Sequence, residues 1–124
     1  MIPPELLKIR LELAREPGHP AGETTHGYDI LAPLDSDSRL DPEAWRKDKE
    51  SCRVRRFRKD ELDKIGRLGR KPGGSWFFDY EEGDRDDEPG YRFGDERFVV
   101  GEYVSVREQD GDMHTFRVVS VERP

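Results

Sequence analysis

The sequence predicts an α+β domain whose antiparallel sheet curls into a partly open small barrel, with an N-terminal helix and a short helix near 41–50. Three observations support this fold class. Short β-branched and aromatic runs fill the second half of the chain, tight-turn signals separate them, and two stretches nearer the N-terminus carry helix signals. Strands joined by tight turns pair with their sequence neighbours, which builds an antiparallel sheet.

The first stretch predicts a helix. Two prolines and an acidic residue open it, as suits a first helical turn. Leu6, Ile9 and Leu13 would lie on one stripe, and Pro17-Gly18 would end the helix. We expect this helix and the loop after it, residues 1–25, to be peripheral to the domain.

A strand over 28–32 and a helix from Pro42 to about residue 50 are expected next. Asp41 is a suitable N-cap for that helix, and proline is favoured at its first position. Trp45 is the large apolar residue in this charged segment. We expect its ring to dock the helix on the sheet.

The middle of the chain predicts a strand over 52–58 and a hairpin. The hairpin strands would be 65–70 and 75–80, joined by a Pro-Gly turn within Lys71–Gly74. The register then places Gly69 opposite Trp76, so that the ring covers the bare backbone of the glycine.

A second hairpin is predicted over Phe98–Val121. Its three-residue loop ends at Gly111, which would adopt a left-handed conformation. This register pairs Val106 with His114. Alternation sends one set of side chains inward: Val100, Val104, Val106, His114, Phe116 and Val118. Tyr103 and Arg107 face outward.

Composition limits the class of protein. A chain of 124 residues fits a single domain, 1–124, and its 40% charged residues leave a net charge of only −6. Cys52 is the single cysteine, so no internal disulfide can form. No apolar run approaches membrane length and the N-terminus does not resemble a signal peptide. We therefore expect a soluble cytoplasmic protein without a membrane partner.

Charge is unevenly distributed along the chain. Residues 53–71 hold nine cations against three acids, whereas residues 79–96 hold nine acids against two cations. Within the acidic stretch, residues 81–90 are predicted to be a flexible loop that either binds a cation or neutralises the basic strands. The predicted binding residues come from the basic strands and the last hairpin: Arg53, Arg55, Arg56, Arg58, Arg67, Arg70, Tyr103 and Arg107.

The leading hypothesis is a small intracellular interaction module whose basic strands bind a protein partner. A nucleic-acid-binding barrel is an alternative, since Phe57 and the Trp76–Phe78 run could stack bases beside the cations. The net negative charge disfavours that partner at long range. The sequence leaves the identity of the ligand and the oligomeric state open.

No catalytic or metal-binding motif is present. The chain lacks a nucleophile elbow, a phosphate-binding loop, a dinucleotide fingerprint and an EF-hand spacing. We therefore predict no catalytic residue, no metal ligand and no cofactor. The alternative is a small metal- or thiol-dependent enzyme that uses His26, Cys52 and the acidic loop, so whether the protein is an enzyme stays open, with a binding module favoured.

Two phrases carry a resemblance to other proteins. The stretch from His26 to Asp35, and the stretch from Phe98 to Val104 with the strand that begins at His114, resemble a group of small bacterial proteins of unknown function. That resemblance implies no activity and no functional residue. The Gly-Glu-Tyr-Val phrase that begins at Gly101 is also similar to the strand opening of SH3-like barrels, and the curled sheet suggests an OB-like comparison.

Overall fold

The computed structural model describes residues 6–15, 20–80, 88–90 (backbone only), 96–108 and 111–124. The described residues form one antiparallel sheet of eight strands and one short helix. In chain order these elements are β1 (Leu6–Leu13), β2 (Glu23–Pro33), α1 (Pro42–Asp48), β3 (Arg53–Phe57), β4 (Lys64–Arg70), β5 (Trp76–Tyr80), β6 (Glu88–Gly90), β7 (Tyr103–Arg107) and β8 (Met113–Glu122).

The strands are arranged in the order β6-β5-β4-β3-β2-β1-β8-β7. The two edge strands, β6 and β7, approach each other, so the sheet curls into a half-barrel. The predicted curled antiparallel sheet is therefore confirmed. No helix among the described residues is long and apolar enough to cross a membrane.

The predicted N-terminal helix is wrong, because Leu6–Leu13 forms β1. Ile9, Leu11 and Leu13 are buried and alternate with the more exposed Arg10 and Glu12. This alternation of buried and exposed residues is typical of a half-buried strand. The spacing of Leu6, Ile9 and Leu13 would also fit one face of a helix, so the sequence pattern is compatible with both structures. The segment forms a strand because β2 and β8 hydrogen-bond to it on its two sides.

β1 lies between β2 and β8, inside the sheet rather than at its periphery. Ile9 pairs with Ile30 of β2 on one side and with Val121 of β8 on the other. The same inward row continues through Val54. β1 pairs with β8, the last strand of the chain, and its apolar side chains are part of the core. The segment that we expected to be a peripheral helix is therefore a central strand.

The second helix is confirmed as α1, although its regular part ends at Asp48 and a 3-10 turn continues to Ser51. Asp41 is its N-cap and accepts hydrogen bonds from the backbone of Glu43 and Ala44. Trp45 docks the helix as predicted. Its indole Nε1 donates to the carbonyl of Leu68 at 2.8 Å, and its ring meets Trp76 edge-on.

The β4–β5 hairpin is confirmed, but its predicted register is off by one. Lys71 pairs with Ser75 rather than with Gly74, because Gly74 takes a left-handed conformation and adds one residue to the turn. Phe77 therefore lies opposite Gly69. A Cβ at Gly69 would lie 2.5 Å from the ring of Phe77, so this ring, and not Trp76, covers the glycine.

The last hairpin has the predicted register. Val106 pairs with His114, and the Gly111 backbone is left-handed. One inward residue is wrong: Val100 precedes β7 in a turn and is exposed, while Phe98 is buried. The predicted flexible loop at 81–90 lies outside the described residues up to position 87, and its last part, 88–90, forms β6.

Candidate binding site

The side of the sheet that faces away from the core, here called the outer face, carries three of the six arginines predicted to bind on the basic strands: Arg53, Arg55 and Arg67. On β3, Arg53, Arg55 and Phe57 point to this face, whereas Val54 and Arg56 point into the core. Antiparallel pairing places Arg67 of the neighbouring strand directly beside Arg53. Alternation along strands thus divides the basic block between two sides of the sheet.

A groove of about 240 Å³ crosses this outer face. Leu31 and Ile65 supply apolar side chains to it, and Lys8, Arg53 and Arg55 line it with cations. Ile65 is more than a third exposed and is one of few large apolar side chains in the described residues that lie so open to solvent. We call this depression the β2–β4 groove.

Ion pairs hold one wall of the β2–β4 groove in position. The guanidinium of Arg55 donates to Asp29 through Nε at 3.1 Å and Nη2 at 2.5 Å, and to Asp63 through Nη1 at 3.1 Å. The hydrogen bond to Asp29 raises the pKa of Arg55 above its ordinary value, against the smaller opposing effect of burial. Arg55 therefore presents a fixed, permanently charged edge to the groove.

Two further predicted arginines lie near α1. Arg67 forms an ion pair with Glu50 at 2.7 Å, with both side chains largely exposed. Arg70 lies over the ring of Trp76, 5.5 Å from its centroid. Exposed pairs of this kind contribute little to stability and exchange partners readily, so Arg67 can still contribute to a charged surface.

Arg56 and Arg58 do not belong to the outer face. Arg56 is only 3% exposed and lies 5.7 Å from the ring centroid of Tyr80. Arg58 forms an ion pair with Glu108 at 3.1 Å, at one end of the half-barrel. The sequence pattern could not separate these two arginines from their neighbours, because Arg55 and Arg56 are adjacent and the strand ends just before Arg58.

Glu108 is the centre of a charged cluster that the sequence analysis missed. Its carboxylate is 1% exposed and accepts a hydrogen bond from the Tyr28 hydroxyl at 2.5 Å. His26 Nε2 lies 3.3 Å from it, and His114 Nε2 lies 3.6 Å from it. Burial raises the pKa of Glu108, but hydrogen bonds from His26 and Tyr28 and the charge of Arg58 outweigh burial and lower it to about 2.

The Glu108 cluster ties three segments together: β2 through His26 and Tyr28, the turn after β3 through Arg58, and the β7–β8 hairpin through His114. A cleft of about 360 Å³ lies over it. The described residues contain no group of three or more His, Cys, Asp and Glu side chains arranged to hold a metal ion. The Glu108 carboxylate, in contact with four polar side chains from three segments, connects these strands.

Cys52 lies far from this cluster along the sheet. It directly precedes β3, whereas Gly27, next to His26, pairs with Phe57 at the other end of that strand. Burial, with a smaller contribution from the charge of Asp48, raises the pKa of the Cys52 thiol to about 12. A buried, protonated thiol is a poor nucleophile, which removes the basis for a Cys52–His26 catalytic pair.

The rings of the aromatic residues that were predicted to stack nucleic-acid bases are buried in the core or covered by neighbouring residues. Trp76 and Phe78 are in the core, and Phe57 is covered by Arg10, whose guanidinium lies 4.2 Å from its ring centroid. Phe77 covers Gly69. The outer face therefore offers cations and aliphatic side chains rather than a row of open rings.

Tyr103 and Arg107 lie on the outward side of β7, as predicted. Tyr103 is 58% exposed and pairs with Arg117 of β8. Arg107 donates through Nη1 to the carbonyl of Gly111 at 2.8 Å, within its own hairpin. The binding role of all eight predicted residues stays a prediction.

Comparison of the chain with protein-family models, with curated proteins and with solved structures finds no match.

Proposed function

We propose that this protein is a binding module whose β2–β4 groove binds an acidic segment of a partner protein, with an aliphatic side chain of that segment between Leu31 and Ile65. The observation that supports this function is a groove that combines an apolar lining with three cations, Lys8, Arg53 and Arg55, against one carboxylate, Asp29, which is paired with Arg55. Apolar contact supplies affinity, and complementary charge supplies orientation and rate of encounter.

An acidic protein segment fits this surface better than a nucleic acid strand does. Single-strand binding without sequence preference depends on open aromatic rings beside the cations. The rings near the basic strands are buried or covered, while Leu31 and Ile65 line the groove. An aliphatic side chain of a peptide can fill such a groove, and a phosphodiester backbone cannot.

The test is fluorescence anisotropy with a labelled peptide in which a leucine is flanked on each side by glutamates. We expect Arg53→Glu to weaken binding by at least about tenfold, because it places a like charge beside the ligand. Affinity should also fall with added salt, since exposed charges are screened. A peptide with lysines in place of the glutamates, and one with serine in place of the leucine, should bind weakly.

Lys47→Glu on the exposed side of α1 is the matched control, because it makes the same change of charge away from the groove. It should leave the affinity within about twofold of the wild type. Equal weakening by Lys47→Glu and Arg53→Glu would mean that only net charge matters and would contradict the proposal. Tighter binding of a single-stranded oligonucleotide than of the peptide would favour the nucleic-acid alternative instead.

A further inference from the structure

The cleft over Glu108, here called the Glu108 cleft, has a volume of about 360 Å³. Small-molecule sites commonly measure about 300–1,000 Å³ and are lined mostly by apolar side chains. Among the described residues, those that line this cleft are all charged or carry an imidazole: Glu23, His26, Arg58, Lys59, Asp60, Glu61, Glu108 and His114. An apolar ligand would find no apolar side chain among these residues to pack against.

Two of the carboxylates at the Glu108 cleft have a cation beside them. Glu108 is paired with Arg58 at 3.1 Å. Glu61 lies 4.0 Å from the guanidinium of Arg56, which is buried behind the lining. These carboxylates are therefore partly neutralised before any ligand arrives.

The exposed edge of the Glu108 cleft carries both signs of charge. Lys59 and Asp60 are neighbours in the turn after β3, and both are exposed. An incoming cation would meet Arg58 and Lys59. An incoming anion would meet Glu23 and Asp60. Because a like charge in the site opposes binding, this lining favours neither a cation nor an anion.

The floor of the Glu108 cleft is held in place by contacts within the protein. The Glu108 carboxylate is 1% exposed and accepts the hydrogen bond from Tyr28. His26 and His114 contact the same carboxylate, and each side chain is less than a fifth exposed. A ligand would therefore meet polar groups whose ordering does not have to be completed on binding.

We infer that the Glu108 cleft binds a neutral, hydroxyl-rich small molecule of the sugar class. A hydroxyl group both donates and accepts hydrogen bonds, so one sugar ring can donate to the carboxylates and accept from Arg58 and Lys59. Hydrogen bonds with one ionised partner are stronger than those between neutral groups. This inference goes beyond the proposed function and does not depend on the β2–β4 groove.

The test is saturation-transfer NMR, slightly below neutral pH, with pyranoses that differ in charge. Glucose, galactose and mannose are neutral, glucosamine is a cation and glucuronate is an anion. We expect at least one neutral sugar to bind at least about fivefold more tightly than either charged sugar. No binding by the three neutral sugars, or tighter binding of glucosamine or glucuronate, would overturn the inference.

A pair of glycine substitutions locates the bound sugar. Asp60→Gly removes a carboxylate of the cleft without straining the chain, because the Asp60 backbone is left-handed, with φ of 63°. It should weaken the neutral sugar by at least about fivefold. Ser38→Gly is the matched control, since Ser38 has φ of 65° and lies outside the lining. Equal weakening by the two substitutions would contradict the inference.

A second pair of variants tests the donor side of the cleft. Lys59→Met should weaken the neutral sugar, and Lys47→Met, on the exposed side of α1, should leave its affinity within about twofold of the wild type. Arg53→Glu in the β2–β4 groove should also leave sugar binding unchanged, and Asp60→Gly should leave binding of the glutamate–leucine peptide unchanged. Loss of sugar binding in Arg53→Glu would place the sugar in the groove and overturn the inference.

Discussion

Tyr28 donates its phenolic hydrogen to the carboxylate of Glu108 at 2.5 Å, across 80 positions of the chain. Tyr28 belongs to β2, while Glu108 directly follows β7, an edge strand that lies three places away from β2 in the sheet. Their hydrogen bond crosses the interior of the half-barrel, since both residues are buried. The curvature of the sheet therefore depends on a polar contact as well as on apolar packing.

Replacing Glu108 with glutamine should destabilise the fold by about 2–4 kcal/mol, because Arg58 and Tyr28 would lose a buried anionic acceptor. The free energy of unfolding in urea measures this loss. Glu102→Gln is the matched control: Glu102 is exposed just before β7, and its substitution should change stability by no more than about 0.5 kcal/mol. Equal effects of the two substitutions would contradict a structural role for the Glu108 cluster.

The Glu108 carboxylate should also make the free energy of unfolding depend on pH in the acidic range. Its pKa is lowered to about 2 in the folded protein, below the roughly 4.3 of an unfolded chain. The unfolded state thus binds this proton first as the pH falls. The contribution, roughly 3 kcal/mol, is complete above about pH 5 and disappears toward pH 2.

Unfolding curves of the wild type and of Glu108→Gln, measured from pH 7 to pH 2.5, check this dependence. The difference in unfolding free energy between the two proteins should shrink steadily below about pH 5. A difference that stays constant over the whole range would show that the lowered pKa of Glu108 does not contribute to stability.

Gly27→Ala should cost about 2–3 kcal/mol of stability. A Cβ at Gly27 would lie 1.9 Å from the carbonyl oxygen of Leu11, so β1 and β2 would have to separate. Gly73→Ala provides the comparison, because no atom lies within 4 Å of a Cβ there. Thermal unfolding of both variants distinguishes them, and similar melting temperatures would mean that β1 can shift freely.

Cys52 should react very slowly with a thiol reagent such as dithionitrobenzoate in the folded protein and rapidly in denaturant. The thiol is fully buried, and its pKa of about 12 keeps it protonated at neutral pH. The rate of native modification, compared with the rate in urea, measures this protection. Rapid native modification would restore Cys52 as a candidate nucleophile.

Much of the local structure was predictable from short patterns. Asp41 followed by proline indicated the start of α1, and Gly111 between two β-branched runs indicated the last hairpin and its register. These signals depend on the backbone preferences of a few adjacent residues. The register of the β4–β5 hairpin was predicted one residue off, which placed the wrong ring opposite Gly69. The left-handed Gly74 adds a residue to the turn, and the Pro72-Gly73 pair does not show this extra residue.

The candidate site was only partly predictable. The basic block pointed to Arg53, Arg55 and Arg67, which do share the outer face. The basic block could not reveal that Arg58 forms an ion pair with Glu108, because these residues are fifty positions apart in the chain. The only early indication of the cluster was His114 on an otherwise apolar face, where a buried imidazole requires a polar partner.

By itself, the sequence determined the hairpins, the α1 cap and the sign of charge along the strands, because these depend on neighbouring residues. Tertiary structure alone decided that Leu6–Leu13 is a strand and that Glu108 gathers Tyr28, Arg58 and two histidines. The physical reason is the same in both cases. A strand needs partners on its edges and a buried carboxylate needs donors around it, and the curled sheet brings both from distant parts of the chain.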